Sequence, residues 1–207
     1  MSKNNYLPLN LQHFANGDEK VTFGLDNVHY ATYTIDESGK VIFDTPIPIP
    51  GAVEITNEPV GDPIEFYADN MIYYYADNNQ GYEGTLTIAH LPDSFKKNIL
   101  KEELIDLDNV LTEYADVQTR PFALLFQFLG DKKARRHVLF NCNARRTNFN
   151  SSTKTDSVEP NTIELNYKAT PIIINERPIV KASTTQSTSQ EVYNAWFQQV
   201  YVPPESV

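Results

Sequence analysis

Between Glu65 and Tyr82, six of eighteen residues are aromatic: Phe66, Tyr67, Tyr73, Tyr74, Tyr75 and Tyr82. Aromatic and β-branched side chains fit a pleated, half-buried surface, so a run this dense belongs in sheet. Immediately after it, Gly84-Thr-Leu-Thr-Ile-Ala-His90 alternates apolar and polar residues, the period of a strand with one face inward. Pro92-Asp93 then opens a short helix in which Phe95 and Ile99 lie one turn apart and Leu100 widens the stripe. Tyrosines packed this closely supply broad amphipathic contact area, and no catalytic constellation accompanies them. Surface without chemistry is the mark of a chain that assembles.

Strand signals continue on both sides. Val28 to Ile35 is rich in Tyr and Thr, Glu37-Ser-Gly-Lys40 is a turn, and Val41-Ile-Phe43 starts the next strand. Thr45-Pro-Ile-Pro-Ile-Pro-Gly51 has proline at every second position, which confines it to an edge or an extended loop; Val53 to Thr56 resumes a strand. Phe122-Ala-Leu-Leu-Phe-Gln-Phe-Leu129 is apolar on both faces, so either it is a central strand or one face meets a partner. After Gly130-Asp131, alternation turns Val138, Phe140 and Cys142 one way and Arg135, His137 and Asn141 the other. Residues 143–161 read as a polar loop or hairpin. Thr162 to Thr170 alternates most cleanly, with Ile163, Leu165, Tyr167 and Ala169 inward and Glu164, Asn166 and Lys168 outward. Ile172 to Ile174 and Ile179-Val180 extend the sheet.

The ends carry separate signals. Residues 1–20 read as an arm: Leu7, Leu9, Leu11 and Phe14 are apolar, but Pro8 and the Asn-Gly-Asp run at Gly17 forbid a regular element. Such an arm either frays or lies on a neighbouring subunit. Residues 21–182 form the β domain. Residues 183–207 comprise a Ser/Thr-rich tether and a helix from about Ser189 to Tyr201, with Val192, Trp196 and Val200 in one row and Tyr193, Phe197 and Tyr201 in the next. A stripe that wide must be buried, on its own sheet or across a subunit boundary.

At 207 residues the chain suits one domain with a real core, and 41% hydrophobic content argues against disorder. A net charge of −10 argues against nucleic-acid binding, which needs clustered Lys and Arg. The exception is residues 131–146, where Lys132, Lys133, Arg135, Arg136, Arg145 and Arg146 stand against Asp131 for a net of +5, leaving −15 elsewhere. This segment reads either as an outward strand face and turn satisfied by acidic residues elsewhere in the chain, or as a surface that pairs with the acidic face of an identical neighbour, which is physically natural; nucleic-acid contact is the lesser alternative. The single cysteine, Cys142, cannot form an intrachain disulfide and reads as a small buried hydrophobe. Met1 to Ala15 lacks an apolar secretory core and no run approaches the length of a membrane span, so folding in a reducing cytoplasm is expected.

Chemistry-bearing patterns fail one by one. His13, His29, His90 and His137 show no metal-ligand spacing. Asp106-Leu-Asp108-Asn109 begins like a calcium loop but has Leu111 where glycine is required and Val117 where glutamate is required. Neither a phosphate-binding glycine motif nor a Gly-x-Ser-x-Gly elbow occurs. Asn150-Ser-Ser152 is a glycosylation sequon that matters only after secretion. Glu102-Glu103 with Asp106 and Asp108 reads as a solvated loop rather than an acid pair. No catalytic, cofactor or metal residue is expected, and the chain is not expected to be an enzyme. The candidate functional residues are contacts between subunits: Tyr73, Tyr74, Tyr75, Arg135, Arg136, Trp196 and Phe197.

An ordered series of segments over roughly residues 21–175 resembles the major tail proteins of long-tailed, non-contractile phages of Gram-positive bacteria. It comprises Val21-Thr-Phe-Gly-Leu-Asp-Asn-Val-His-Tyr30, Pro46-Ile-Pro-Ile-Pro-Gly-Ala52, Phe66-Tyr-Ala-Asp-Asn70 and Gly81-Tyr-Glu-Gly84. Leu91-Pro-Asp-Ser-Phe95, Pro121-Phe-Ala-Leu-Leu125, Gly130-Asp-Lys-Lys133 and Arg136-His-Val-Leu-Phe-Asn-Cys142 complete it. The resemblance implies a mainly β fold, a β-sandwich or β-barrel of the tail-tube type with one flanking α-helix and a C-terminal helix. It also implies six-membered rings stacked into a tail tube in the virion, assembled in the host cytoplasm. The implied partners are the chain itself, the tape-measure protein, the tail terminator and baseplate proteins; phage DNA passes through without specific binding, and no membrane is involved. Excess acid suits such a conduit, because a strongly basic lumen would hold DNA. The alternatives are a terminator or baseplate adaptor of related fold, or a carbohydrate-binding β-sandwich whose Tyr73–Tyr75 cluster stacks on sugars.

Overall fold

The computed structural model describes residues 21–105, 107–130, 132–148 and 161–205. The arm expected for residues 1–20, Asp106, Asp131, the sequon at Asn150 and most of the polar segment 143–161 lie outside the described residues. The chain is mainly β. It opens with β1 (Thr22–Ile35), β2 (Val41–Phe43), β3 (Ile47–Pro48) and β4 (Ala52–Val60). β5 (Ile64–Ala68), β6 (Met71–Ala76) and β7 (Gly81–Ile88) follow, then the single turn α1 (Asp93–Phe95), which widens into a π-turn over Lys96–Leu100. β8 (Glu103–Ile105), β9 (Val110–Thr112), β10 (Phe122–Gly130), β11 (Arg135–Ala144) and β12 (Ile163–Ala169) come next. The last elements are β13 (Ile172–Ile174), β14 (Arg177–Ile179), β15 (Lys181–Ser183) and α2 (Gln190–Ala195).

The main sheet is antiparallel in the order β2-β1-β10-β11-β12-β7-β4. β3, the proline-alternating segment, adds only at the outer edge of β1, where a missing N–H costs no ladder bond. The outer edge of β11 is shared: β15 pairs with His137 to Leu139 and β12 with Cys142 to Ala144. The sheet curls until β4 returns beside β1. Its interior holds Tyr30, Leu86, Ile88, Phe122, Leu124 and Leu165, and Leu91, Phe95, Ile99 and Leu100 of the α1 segment close over them. Phe95 meets Tyr30 and Phe122 edge-on at 5.0 and 5.3 Å.

A second cluster lies on the other face of β1, β10 and β11. There Ala31, Ala123, Leu125, Val138 and Phe140 are covered by Ile174 of the β13–β14 hairpin and by Trp196 and Val200 at the C-terminal end. This double burial explains why β10 is apolar on both faces: it is a central strand. In β12, Leu165, Tyr167 and Ala169 are buried and Glu164 is exposed, the register expected from alternation.

β11 departs from the expected register. Val138 and Phe140 join the outer cluster, whereas Cys142 is buried with Leu139 in the inner one. Phe122 pairs with Cys142 and Leu124 with Leu139, so β11 spends three residues where β10 spends two. One extra residue reverses the phase of everything beyond it. The C-terminal region also differs. The helix ends at Ala195 and turns carry Trp196 to Gln199, so it is half the expected length. The stretch from Ser183, read as a tether, is hydrogen-bonded to the sheet. Thr184 is buried, its N–H donates to the Arg136 carbonyl at 2.9 Å, and its hydroxyl accepts from the Arg136 N–H at 2.9 Å.

Candidate functional site

β5 and β6 form a hairpin that stands apart from both core clusters. Its turn is Asp69-Asn70, with φ of 51° and 63°. Two adjacent left-handed residues are the tight hairpin geometry whose twist matches that of the strands, and Asp and Asn tolerate it better than most residues. Tyr73 is the extra residue of a bulge between the pairs Phe66–Tyr74 and Tyr67–Ile72. Phe66, Tyr67, Tyr73, Tyr74 and Tyr75 remain 55–72% exposed. Ile64, Met71 and Ile72 are exposed among them, residues that reading the tyrosines alone passes over. Within the hairpin, Phe66 meets Tyr73 edge-on at 6.5 Å and the Tyr67 hydroxyl donates to the Glu65 carboxylate at 2.6 Å. A two-stranded ribbon is marginal in water by itself, and a contiguous apolar patch rimmed by polar residues marks an interaction surface. β8 and β9 make a second, smaller hairpin, whose Leu104, Leu107 and Val110 are exposed. The acidic segment read as a solvated loop leads into this hairpin: Glu103 begins β8, and Asp108 lies in its turn.

The other candidate residues gather at the C-terminal segment. Trp196 is 2% exposed, its indole N–H donates to the His137 carbonyl at 3.4 Å, and Tyr201 stacks on it at 5.4 Å. Phe197 stacks on His29 at 4.9 Å. Arg136 lies 3.8 Å from the Tyr193 ring centre and 4.9 Å from that of Phe197, and donates to Gln127 Oε1 at 3.0 Å and to the Tyr193 carbonyl. Lys133 lies 4.1 Å from the Tyr193 ring centre and donates to the Thr188 carbonyl. Two cations of the basic segment thus clamp the C-terminal segment to its own sheet through aromatic faces. Lys132 and Arg135 are exposed. The structure brings Arg136, Trp196 and Phe197 together and leaves Tyr73, Tyr74 and Tyr75 on a separate projection.

His137 packs against Phe126 and Phe128 at 5.2 and 5.0 Å, and its Nε2 is buried without a hydrogen-bond partner among the described residues. Burial, with help from Arg135 and Lys181, pushes its pKa down to about 4. Below pH 6.5 the unfolded chain takes up a proton that the folded ring resists. Stability is therefore fully present above pH 6.5 and falls as the pH drops towards 4, by on the order of 2 kcal/mol once partial solvent contact is allowed for. Urea unfolding at pH 7 and pH 4.5 should show a smaller acid loss for His137→Phe than for the wild type. Equal losses would show that the ring does not titrate in this way.

Two clefts remain. The first of these two, of about 240 Å³, is polar and lies between Thr56, Glu58, Glu83, Arg145 and Asn166 on the outer face of β4, β7 and β12. The second, of about 330 Å³, lies between the start of β1 at Phe23 and Leu25 and the edge of β4 at Val53 and Ile55. Among the described residues no three His, Cys, Asp or Glu side chains gather as metal ligands would, and no helix is long and apolar enough to cross a membrane.

No protein-family model and no curated protein matches the chain. Among solved structures it is similar to the cryo-electron microscopy structure of the anti-feeding prophage cap, a tube-terminating cap. The identity is 10% over 84% of this chain and 99% of that one, with a TM-score of 0.46.

Proposed function

We propose that this chain is a structural protein of a phage tail, a major tail protein that polymerises with its own copies into stacked six-membered rings forming the tail tube. It catalyses no reaction. The β5–β6 hairpin carries this reading, because it exposes five aromatic rings on a ribbon that a folded monomer leaves unsupported. A curled antiparallel body, a net charge of −10 and the ordered resemblance over residues 21–175 all support it. A conduit needs a stiff wall, adhesive projections and little affinity for the polyanion passing through.

The test is negative-stain electron microscopy of the purified protein over a concentration series. Wild type should form tubes, and Tyr73→Ser/Tyr74→Ser/Tyr75→Ser should stay a folded monomer. Single rings that never stack would assign the chain to a tail terminator or adaptor. A wild type that stays monomeric and binds oligosaccharides through the same tyrosines would replace the proposal with a carbohydrate-binding module.

A further inference from the structure

Charge is segregated along the chain more sharply than its total conveys. From Lys40 to Lys96 no Lys or Arg intervenes, while Asp62, Glu65, Asp69 and Asp77 fall on the β5–β6 hairpin and its root. All four are exposed. The counter-charge is concentrated at the β10–β11 turn, where Lys132 and Arg135 face solvent beside the inward-turned Lys133 and Arg136.

The register places these two features at opposite ends of the sheet. The hairpin leaves the body at the start of β7, where Tyr82 pairs with Ala169, Ala169 with Cys142, and Cys142 with Phe122. Phe122 is the first residue of β10, and the basic turn follows its last, Gly130. At about 3.3 Å per residue the strand separates the two features by roughly 26 Å. We infer that the acidic aromatic hairpin of one copy seats on the β10–β11 turn of a second copy, an end-to-end contact in which carboxylates and tyrosine rings receive Lys132 and Arg135. This rests on the self-assembly reading above and specifies which surfaces meet. Different patches at opposite ends form a heterologous interface, which propagates copy after copy instead of closing as a two-fold dimer. Tyrosine faces accept cations, as Tyr193 accepts Lys133 and Arg136 within the chain.

Charge reversal tests the pairing. Glu65→Lys/Asp69→Lys and Lys132→Glu/Arg135→Glu should each cut sedimenting polymer about tenfold or more, since like charges would face each other. Both variants should keep the wild-type circular dichroism spectrum and a cooperative melt, since what Glu65→Lys/Asp69→Lys gives up, the Tyr67 bond to Glu65 and an aspartate in the left-handed turn, lies on a hairpin outside both core clusters. A chain carrying both reversals should polymerise again, and so should an equimolar mixture of the two doubly substituted variants. Wild-type tubes unaffected by either reversal would overturn the pairing and leave the tube reading standing. Loss in both variants without recovery in the combined chain or the mixture would also overturn the pairing. A wild type that stays monomeric at every concentration would overturn both.

Discussion

Trp196→Ala should lower the unfolding free energy by about 3–5 kcal/mol, the range for removing a large buried aromatic. The indole is 2% exposed, fills the outer cluster beside Val138 and Phe140, and carries Tyr201 on its face. The six residues of α2 cannot hold a helix by themselves, so the C-terminal segment depends on this anchor and on the Arg136 clamp. Truncation before Gln186 should cost more, since Ala31, Leu125, Val138 and Phe140 would then face water. Urea unfolding followed by circular dichroism provides the measurement, with Tyr74→Ser as the comparison that stays within about 0.5 kcal/mol of wild type. A Trp196→Ala protein as stable as the wild type would mean that the segment is not held on its own sheet.

The second large effect is expected at Gly84 in β7. A Cβ there would lie 2.5 Å from the Thr56 carbonyl oxygen and 2.6 Å from the end of the Tyr167 ring. That ring is buried across the glycine from the neighbouring strand, and its hydroxyl donates to Asn57 Oδ1 at 2.8 Å. Gly84→Ala must therefore push β4 outward, break the tyrosine hydrogen bond, or do both, for a loss of about 2–4 kcal/mol. A double-mutant cycle with Tyr167→Leu separates the two. If the ring is the main obstacle, the alanine should cost much less in a chain that already carries the Tyr167→Leu substitution. Additive losses would place the obstacle at the Thr56 carbonyl.

The readable parts of the fold were those in which one local rule acted alone. Thr162 to Thr170 alternates without interruption, so its inward and outward faces followed directly. Alternating prolines forced Ile47-Pro48 to an edge. Other parts depended on partners far away in sequence. β6 and β10 are both apolar on both faces, yet β10 is buried between β1 and β11 while β6 is exposed. What separates them is that β10 is aliphatic and phenylalanine-rich, whereas three tyrosines of β6 can keep a hydroxyl in water. The bulge in β11 leaves no mark in its own residues and becomes visible only against β10. Ser183 to Ser189 has the composition of a linker, but Thr184 and Thr188 accept bonds from Arg136 and Lys133, partners about fifty residues away. The candidate site divided along the same line: exposure of the tyrosine hairpin was legible, while the role of Arg136 within its own chain required the fold.

The bulge has one more consequence. By turning Cys142 into the inner cluster, it places the chain's single thiol where no solvent reaches it, and burial raises its pKa well above the usual thiol range. Thiolate is the reactive species, so an alkylating reagent should be blind to the native molecule and react only when β10 and β11 part. The rate of modification then counts openings of the central strands one molecule at a time, with no engineered label. Comparing that rate in monomer and polymer would show whether assembly slows the breathing of the curled sheet itself or only quiets its projections.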